Sequence, residues 1–394
     1  MKKNVVLGVS GGIAVYKALE IVSMLVKKDI DVDVIMTESA VKFVTPLSFQ
    51  SLSQNMVICD MFAEPKAFEI QHISLATKAD LLLVAPATAN IIGKVANGIA
   101  DDMLSTTIMA TKAKVIFAPA MNTNMYENPI VQDNIKKLKA YGYEFIDPIS
   151  GRLACGTTGA GKFESPAVIV DRVLMELNEK KDLLNKKVMV TAGPTVAEID
   201  PVRFITNKST GKMGYAIAKE ARNRGADVTL ISGPTSLEAP MNVNFIKVST
   251  NEEMREEALK AFSDADIVIK SAAVADYKPK NYSTQKIKKA DNDLSIDFTR
   301  DNDILMELGK KKEKQVLVGF AAESQNLEEN AKLKLSKKNL DYIVANDITA
   351  EDTGFASEDN KVIVLSKEGK QVHLDKMSKE KIASNLFDII LEKR

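Results

Sequence analysis

Short apolar runs alternate with segments of helical period, which predicts an α/β protein: two doubly wound, mostly parallel-sheet, Rossmann-like domains joined by a charged linker. Three observations carry this. Val5–Val9, Val32–Met36 and Leu81–Ala85 are predominantly apolar, as strands covered on both faces must be. Val15–Lys28, between the first two, sets Leu19, Val22 and Val26 on one helix face. The rhythm then pauses in the charged stretch Asp171–Lys187 and restarts at Val188–Ala192. Domains are therefore expected at 1–186 and 187–394.

The remaining elements follow in order. In the first domain, strands are expected at Val115–Ala118 and Tyr143–Ile146. In the second, a helix over Gly211–Arg224 precedes a strand at Val228–Ser232, and a helix over Glu252–Phe262 precedes one at Ile267–Ser271. Val316–Phe320 and Tyr342–Ala345 are further strands, separated by a helix over Glu328–Lys338. The polar, Lys-rich Asn281–Asp301 reads as a flexible loop or an extended β-arm.

Composition narrows the function. With 394 residues, 45% hydrophobic and 27% charged, the chain is neither disordered nor a disulfide-stapled mini-protein. Charge balances in each half, 20 against 20 through Lys186 and 33 against 33 beyond, so no basic excess points to nucleic acid. Two cysteines, Cys59 and Cys155, make no disulfide framework, and a reducing, cytoplasmic setting is expected. No apolar run reaches the ~20 residues that span a bilayer. With only His72 and His373 besides, a His/Cys zinc site is not expected, and no other metal ligands are evident.

Several loops carry chemistry. Ser10-Gly11-Gly12 lies between a strand and a helix, where backbone N–H groups can meet a phosphate; a plain turn explains it equally well. It fails the dinucleotide fingerprint, since Ser10 and Ile13 stand where glycines belong. Pro86-Ala87-Thr88-Ala89-Asn90 leaves a buried strand at the edge where open α/β sheets bind ligands, and Thr88 also suits a helix cap. Met121-Asn122-Thr123-Asn124-Met125 suits an amide donor in an apolar pocket, or a Met-packed loop. Cys155 sits in a glycine-rich loop and reads as an accessible thiol, whereas Cys59 reads as structural. Asn207-Lys208-Ser209-Thr210-Gly211-Lys212-Met213 fails the Walker frame at Thr206 and Met213 but still offers an anion-binding helix start. Lys334 and Lys338 share a helix face and could meet a polyphosphate.

In order, SGGIAVYK, QHISLA, APATAN, PAMNTNM, ACGTTGAGKF, TAGPT, NKSTGKMG, AAVADY and KIKK resemble one family over nearly the whole chain: the bifunctional phosphopantothenoylcysteine decarboxylase / phosphopantothenate–cysteine ligase of coenzyme A biosynthesis. The resemblance implies an FMN-dependent decarboxylase in the first domain. An acylated cysteine nitrogen rules out a Schiff base, so oxidation of the thiol to a thioaldehyde must supply the electron sink for CO₂ loss. It further implies His72 as active-site base, Asn122 as carboxylate holder and Cys155 as proton donor, with FMN held by Gly11, Gly12, Ser39, Thr88, Asn90 and Ser105.

For the second domain the resemblance implies ligation through an acyl-cytidylate made from CTP and 4'-phosphopantothenate, with Mg²⁺, and cysteine's amine as acceptor. Ala272, Asp276, Lys286, Asn302, Asp303, Ile304, Leu305, Phe320, Lys334 and Lys338 would hold CTP. Asn207 would bind the acyl-cytidylate and Lys286 assist its formation. A homo-oligomer follows, with decarboxylase trimers and ligase dimers. Two rivals are weaker. The presence of His72, Asn122 and Cys155 together argues against a non-catalytic flavin-binding regulator, and the failed fingerprint argues against an NAD(P) oxidoreductase.

Overall fold

The computed structural model describes residues 2–62, 69–154, 156–288, 294–323, 327–347, 357 and 359–392. The chain forms two compact units, Met1–Asn178 and Glu179–Arg394.

In the first unit, β1 (Asn4–Val9), β2 (Asp31–Met36), β3 (Leu81–Ala87), β4 (Lys114–Pro119) and β5 (Glu144–Phe145) form a parallel sheet of order β2-β1-β3-β4-β5. Alternate side chains feed two cores. Val5, Leu7, Leu81 and Leu83 pack with the helix Val15–Lys27 on one face, while Val6, Leu82 and Val84 pack with helices Ala89–Ala96 and Met103–Ala110 on the other. Burying each such side chain is worth about 1.5–3 kcal/mol. Asp102 and Ser105 close a reciprocal capping box that starts the last helix. Beyond β5, an antiparallel hairpin joins β6 (Ile149–Arg152) to β7 (Thr158–Lys162), and the helix Pro166–Leu177 ends the unit.

In the second unit the strands are β8 (Lys187–Ala192), β9 (Val196–Glu198), β10 (Phe204–Thr206), β11 (Asp227–Ser232), β12 (Asn244–Lys247), β13 (Ile267–Lys270), β14 (Tyr277–Pro279), β15 (Phe298–Arg300), β16 (Val316–Glu323), β17 (Tyr342–Asp347), β18 (Asp359–Ser366) and β19 (Gln371–Ser378). The main sheet runs β12-β11-β8-β13-β16-β17-β18-β19. It is parallel as far as β17, and β18 and β19 then add as an antiparallel hairpin. Two small antiparallel ribbons, β9–β10 and β14–β15, stand apart from it, the second framing the segment read as an arm.

The units divide at residue 178 rather than 186 because the charged segment has partners in the second unit. Lys180 pairs with Asp388 at 2.8 Å and Asp182 with Arg224 at 3.2 Å, and Leu183 lies in the second core. No helix among the described residues is long and apolar enough to cross a membrane.

Candidate active sites

The first unit gathers its loops at the carboxyl ends of β1, β3 and β4 around a cavity of about 650 Å³. Ser10 ties two of these loops together: its Oγ donates to Pro86 O at 2.8 Å and accepts from Thr88 N–H at 3.0 Å. Gly11 must be glycine, since a Cβ there would lie 2.4 Å from Ser39 Cβ. Gly161 lets β7 close the far wall; its φ is +115° and a Cβ would meet Met121 O at 2.4 Å. The lining is mostly apolar, with Ile13, Met121, Met125 and Phe163, and three cations, Lys17, Arg152 and Lys162, join it. Asn122 also lines it while capping the helix Thr123–Glu127 through Asn124 N–H at 2.9 Å.

The second unit places a cavity of about 320 Å³ at the carboxyl ends of β8, β13, β16 and β17. The helix Lys212–Asn223 opens onto it from Gly211, whose φ is +79°, and Gly214 lets the helix touch Ala192, which a Cβ would approach to 2.5 Å. Lys212, Lys270, Lys334, Lys338 and Lys379 all line this cavity. Lys270 donates to Ala272 O at 2.7 Å. Burial and the neighbouring Lys338 push its ammonium down to about 8, against the pull of Asp303 and Asp276. Lys338 pairs with Asp303 at 2.8 Å; desolvation would raise the Asp303 carboxyl, yet Lys338 and the Met306 N–H hold it below the ordinary range. Asn207 crosses the mouth, donating to Ala273 O at 2.9 Å and Val274 O at 3.0 Å.

Residues 1–178 match the family described as Flavoprotein, and residues 183–393 match the DNA/pantothenate metabolism flavoprotein C-terminal domain. The Coenzyme A biosynthesis bifunctional protein CoaBC of Bacillus subtilis (strain 168) is 51% identical over 393 residues, covering 99% of this chain and 96% of that one. The chain belongs to the family of bifunctional coenzyme A biosynthesis proteins. The relative of the same name in Borreliella burgdorferi is 46% identical, over 98% of this chain and 99% of its own. A crystal structure of the C-terminal domain of CoaBC is 41% identical, covers 54% of this chain and 100% of that one, and superposes with a TM-score of 0.47.

The structure brings some of the residues this family implies to the cavities and leaves others outside. Gly11, Gly12, Thr88 and Asn122 line the first cavity. Thr88 also caps the helix Ala89–Ala96, its side chain accepting from Ile91 N–H. Ser39 abuts Gly11 from behind, Asn90 is exposed in the first turn of its helix, and Ser105 is fully buried in its capping box. His72 lies partly exposed on the helix Gln71–Lys78 and is not in the lining. Cys155 falls outside the described residues, although Leu153 and Ala154 before it line the cavity. Cys59 packs against the first core, and burial pushes its thiol up, as befits a structural residue.

In the second cavity, Asn207, Ala272, Asp276, Leu305, Phe320, Lys334 and Lys338 are brought together. Asp303 caps the helix Ile304–Lys311 beside it, Ile304 is core, and Asn302 is held by Glu252 at 2.5 Å. Lys286 is exposed outside the lining, on a segment pinned by Ile287 N–H to Asp200 at 3.1 Å. Lys270 carries a sequence signal of its own, a cation closing the apolar run Ile267–Ile269. Lys17, Arg152, Lys162, Asn346, Asn360 and Lys379 have none; only tertiary structure gathers them.

The first cavity fits FMN. A glycine loop at the start of the helix Val15–Lys27 suits a phosphate, and a deep wall of Met, Ile and Phe suits a flat ring. For Mg²⁺, no group of three or more metal-ligating side chains occurs among the described residues.

Proposed function

We propose that the first cavity decarboxylates phosphopantothenoylcysteine and that the second one makes it. The protein is a bifunctional enzyme of coenzyme A biosynthesis: a CTP-dependent ligase joining cysteine to 4'-phosphopantothenate, and an FMN-dependent decarboxylase giving 4'-phosphopantetheine. The single observation that carries the assignment to cavities is their pairing in one chain, an apolar glycine-rimmed cavity and a lysine-lined one.

In the first unit, Gly11, Gly12 and Thr88 bind FMN, with Ser39, Asn90 and Ser105 shaping the loops around it. Bound there, FMN supplies two-electron oxidation and reduction at the sulfur-bearing carbon of the substrate. His72 takes the proton released in oxidation, the Asn122 amide holds the substrate carboxylate until CO₂ leaves, and the Cys155 thiol returns the last proton. In the second unit, a carboxylate oxygen of 4'-phosphopantothenate attacks the α-phosphorus of CTP and pyrophosphate departs. The cysteine amine then attacks the acyl carbon, losing a proton, and CMP leaves. Lys334 and Lys338, with Lys286 reaching in from its exposed segment, offset charge on the triphosphate, and Asn207 holds the acyl-cytidylate. Ala272, Asp276, Asn302, Asp303, Ile304, Leu305 and Phe320 shape the nucleotide site. Mg²⁺ enters with the triphosphate.

We place the enzyme in the cytoplasm as a homo-oligomer, first units in trimers and second units in dimers. Exposed Phe43, Leu47 and Met56 in the first unit, and Phe204, Tyr277 and Phe298 on the two ribbons of the second, support such contacts. Purified protein incubated with 4'-phosphopantothenate, cysteine and either CTP or ATP, followed by mass spectrometry and flavin absorbance, tests the reading. It requires a yellow protein and 4'-phosphopantetheine formed with CTP; a colourless protein that gains no flavin absorbance with FMN refutes the first half.

A further inference from the structure

Asp200 is a carboxylate with no part in the chemistry above, and its side chain is wholly shielded from solvent. It stands in the turn between β9 and β10. Its Oδ1 accepts from the N–H groups of Val202 and Arg203, both at 2.8 Å, and its Oδ2 accepts from Ile287 N–H at 3.1 Å. Burial raises the carboxyl, yet these bonds, with Arg203 Nε 3.7 Å from Oδ2, hold it below the ordinary range. Two of the bonds close its own turn, which a neutral asparagine or serine would do as well. The third reaches 87 residues along the chain and uses the second carboxylate oxygen.

What it reaches is the segment that carries Lys286. Ile287 is gripped at both of its backbone polar groups, the N–H by Asp200 and the carbonyl by Arg203, whose guanidinium donates at 2.6 Å. On the other side of Lys286, Ser283 donates its N–H to Ile199 O at 3.0 Å. The backbone of Lys286 is thus pinned before and after it, while its side chain is exposed and makes no hydrogen bond or ion pair among the described residues. The far end of the same ribbon is fixed at the cavity. Thr206 Oγ1 donates to Thr195 O at 2.9 Å, and Asn207, the next residue, crosses the mouth. One ribbon therefore places Asn207 directly and Lys286 through Asp200.

We propose that Asp200 is a positioning residue of the ligase: by fixing the peptide of Ile287, it holds Lys286 where its ammonium can swing onto the triphosphate. This rests on the ligase reading and on the role given there to Lys286. With the backbone fixed, only the side-chain torsions of Lys286 remain to be ordered when the triphosphate binds, which lowers the entropy cost of that contact.

The test is Asp200→Asn in the full chain. The amide oxygen can still close the turn, whereas the NH2 group that replaces Oδ2 cannot accept from Ile287. Hydrogen–deuterium exchange in the peptide holding Ile287 should quicken about tenfold. The kcat for pyrophosphate release from CTP and 4'-phosphopantothenate should fall about tenfold, with half-saturation by 4'-phosphopantothenate unmoved. Asp200→Ser, whose hydroxyl also closes the turn, should repeat both changes, and Lys286→Gln should lose pyrophosphate release with exchange at Ile287 unchanged. Unchanged exchange at Ile287 in both Asp200 variants overturns the proposal, and so does faster exchange with pyrophosphate release unimpaired. Weaker half-saturation by 4'-phosphopantothenate alongside the lower kcat marks a general loosening of the cavity and also overturns it. These three results leave the ligase reading standing. Pyrophosphate release at the unsubstituted rate by Lys286→Gln removes the role of Lys286 and this proposal with it, and no release by the unsubstituted chain overturns the ligase reading itself.

Discussion

Both sheets deliver their working loops at the carboxyl ends of parallel strands, yet the two units treat charge differently. In the first, the buried polar side chains among the described residues are neutral: Asn4, Ser10, Ser53, Ser105 and Thr107. In the second they include Asp200, Arg222, Arg224 and Lys379, and five lysines line the cavity. A flat flavin is held mainly by shape and backbone, so its site can stay largely apolar. A triphosphate and its leaving group need cations, and the second unit carries the desolvation cost of supplying them.

The largest expected effect concerns that interior charge. Arg224 is fully buried and meets Glu220 at 2.8 Å, Asp182 at 3.2 Å and Asp388 at 2.7 Å. Arg224→Met takes the guanidinium from Glu220 and Asp182 while Asp388 keeps Lys180, and breaking such a network costs at most ~3–5 kcal/mol. Calorimetry should show the transition of the second unit falling while flavin release, which reports on the first, keeps its temperature. Equal shifts in both would erase the contrast.

A matched pair of glycine substitutions sharpens it. Gly11→Ala places a Cβ 2.4 Å from Ser39 Cβ, and Gly214→Ala places one 2.5 Å from Ala192 Cβ. The first overpacks a loop and the second a helix–strand contact, each at a cost of ~1–3 kcal/mol. Gly11→Ala should lose flavin absorbance and keep pyrophosphate release, and Gly214→Ala should do the reverse. Assays of both signals on both proteins decide it.

These glycines also show what the sequence makes legible. Apolar runs followed by a glycine turn mark β1 and β8, because a strand buried on both faces leaves little choice of residue. The β18–β19 hairpin has a signal in Glu368-Gly369 between two apolar runs, with Gly369 at φ +86°, but it lies outside the βα rhythm and is missed by a reading that follows that rhythm. Lys286 and Lys338 look alike in sequence. Only one lines the cavity, because Lys338 is turned inward by Asp303 whereas the segment of Lys286 is tied to Asp200. Asn346 and Lys379 are illegible for a different reason: two strands and two reversals separate residues that share one cavity.

The smallest expected effect is a pH dependence. Lys270 titrates at about 8, so it is charged below that pH and neutral above it. CTP affinity should therefore weaken as pH rises through 8, by about tenfold for one lost charge-assisted contact. Calorimetric titration should show this slope, and Lys270→Met should bind weakly and without it. FMN binding, which does not involve Lys270, should be flat over the same range.

The central claim is that the two chemistries reside in the two units, and one variant tests it directly. His72→Asn, supplied with CTP, 4'-phosphopantothenate and cysteine, should release pyrophosphate at the unsubstituted rate and accumulate phosphopantothenoylcysteine without 4'-phosphopantetheine in the mass spectrum. Continued formation of 4'-phosphopantetheine, or loss of pyrophosphate release together with it, would contradict the account.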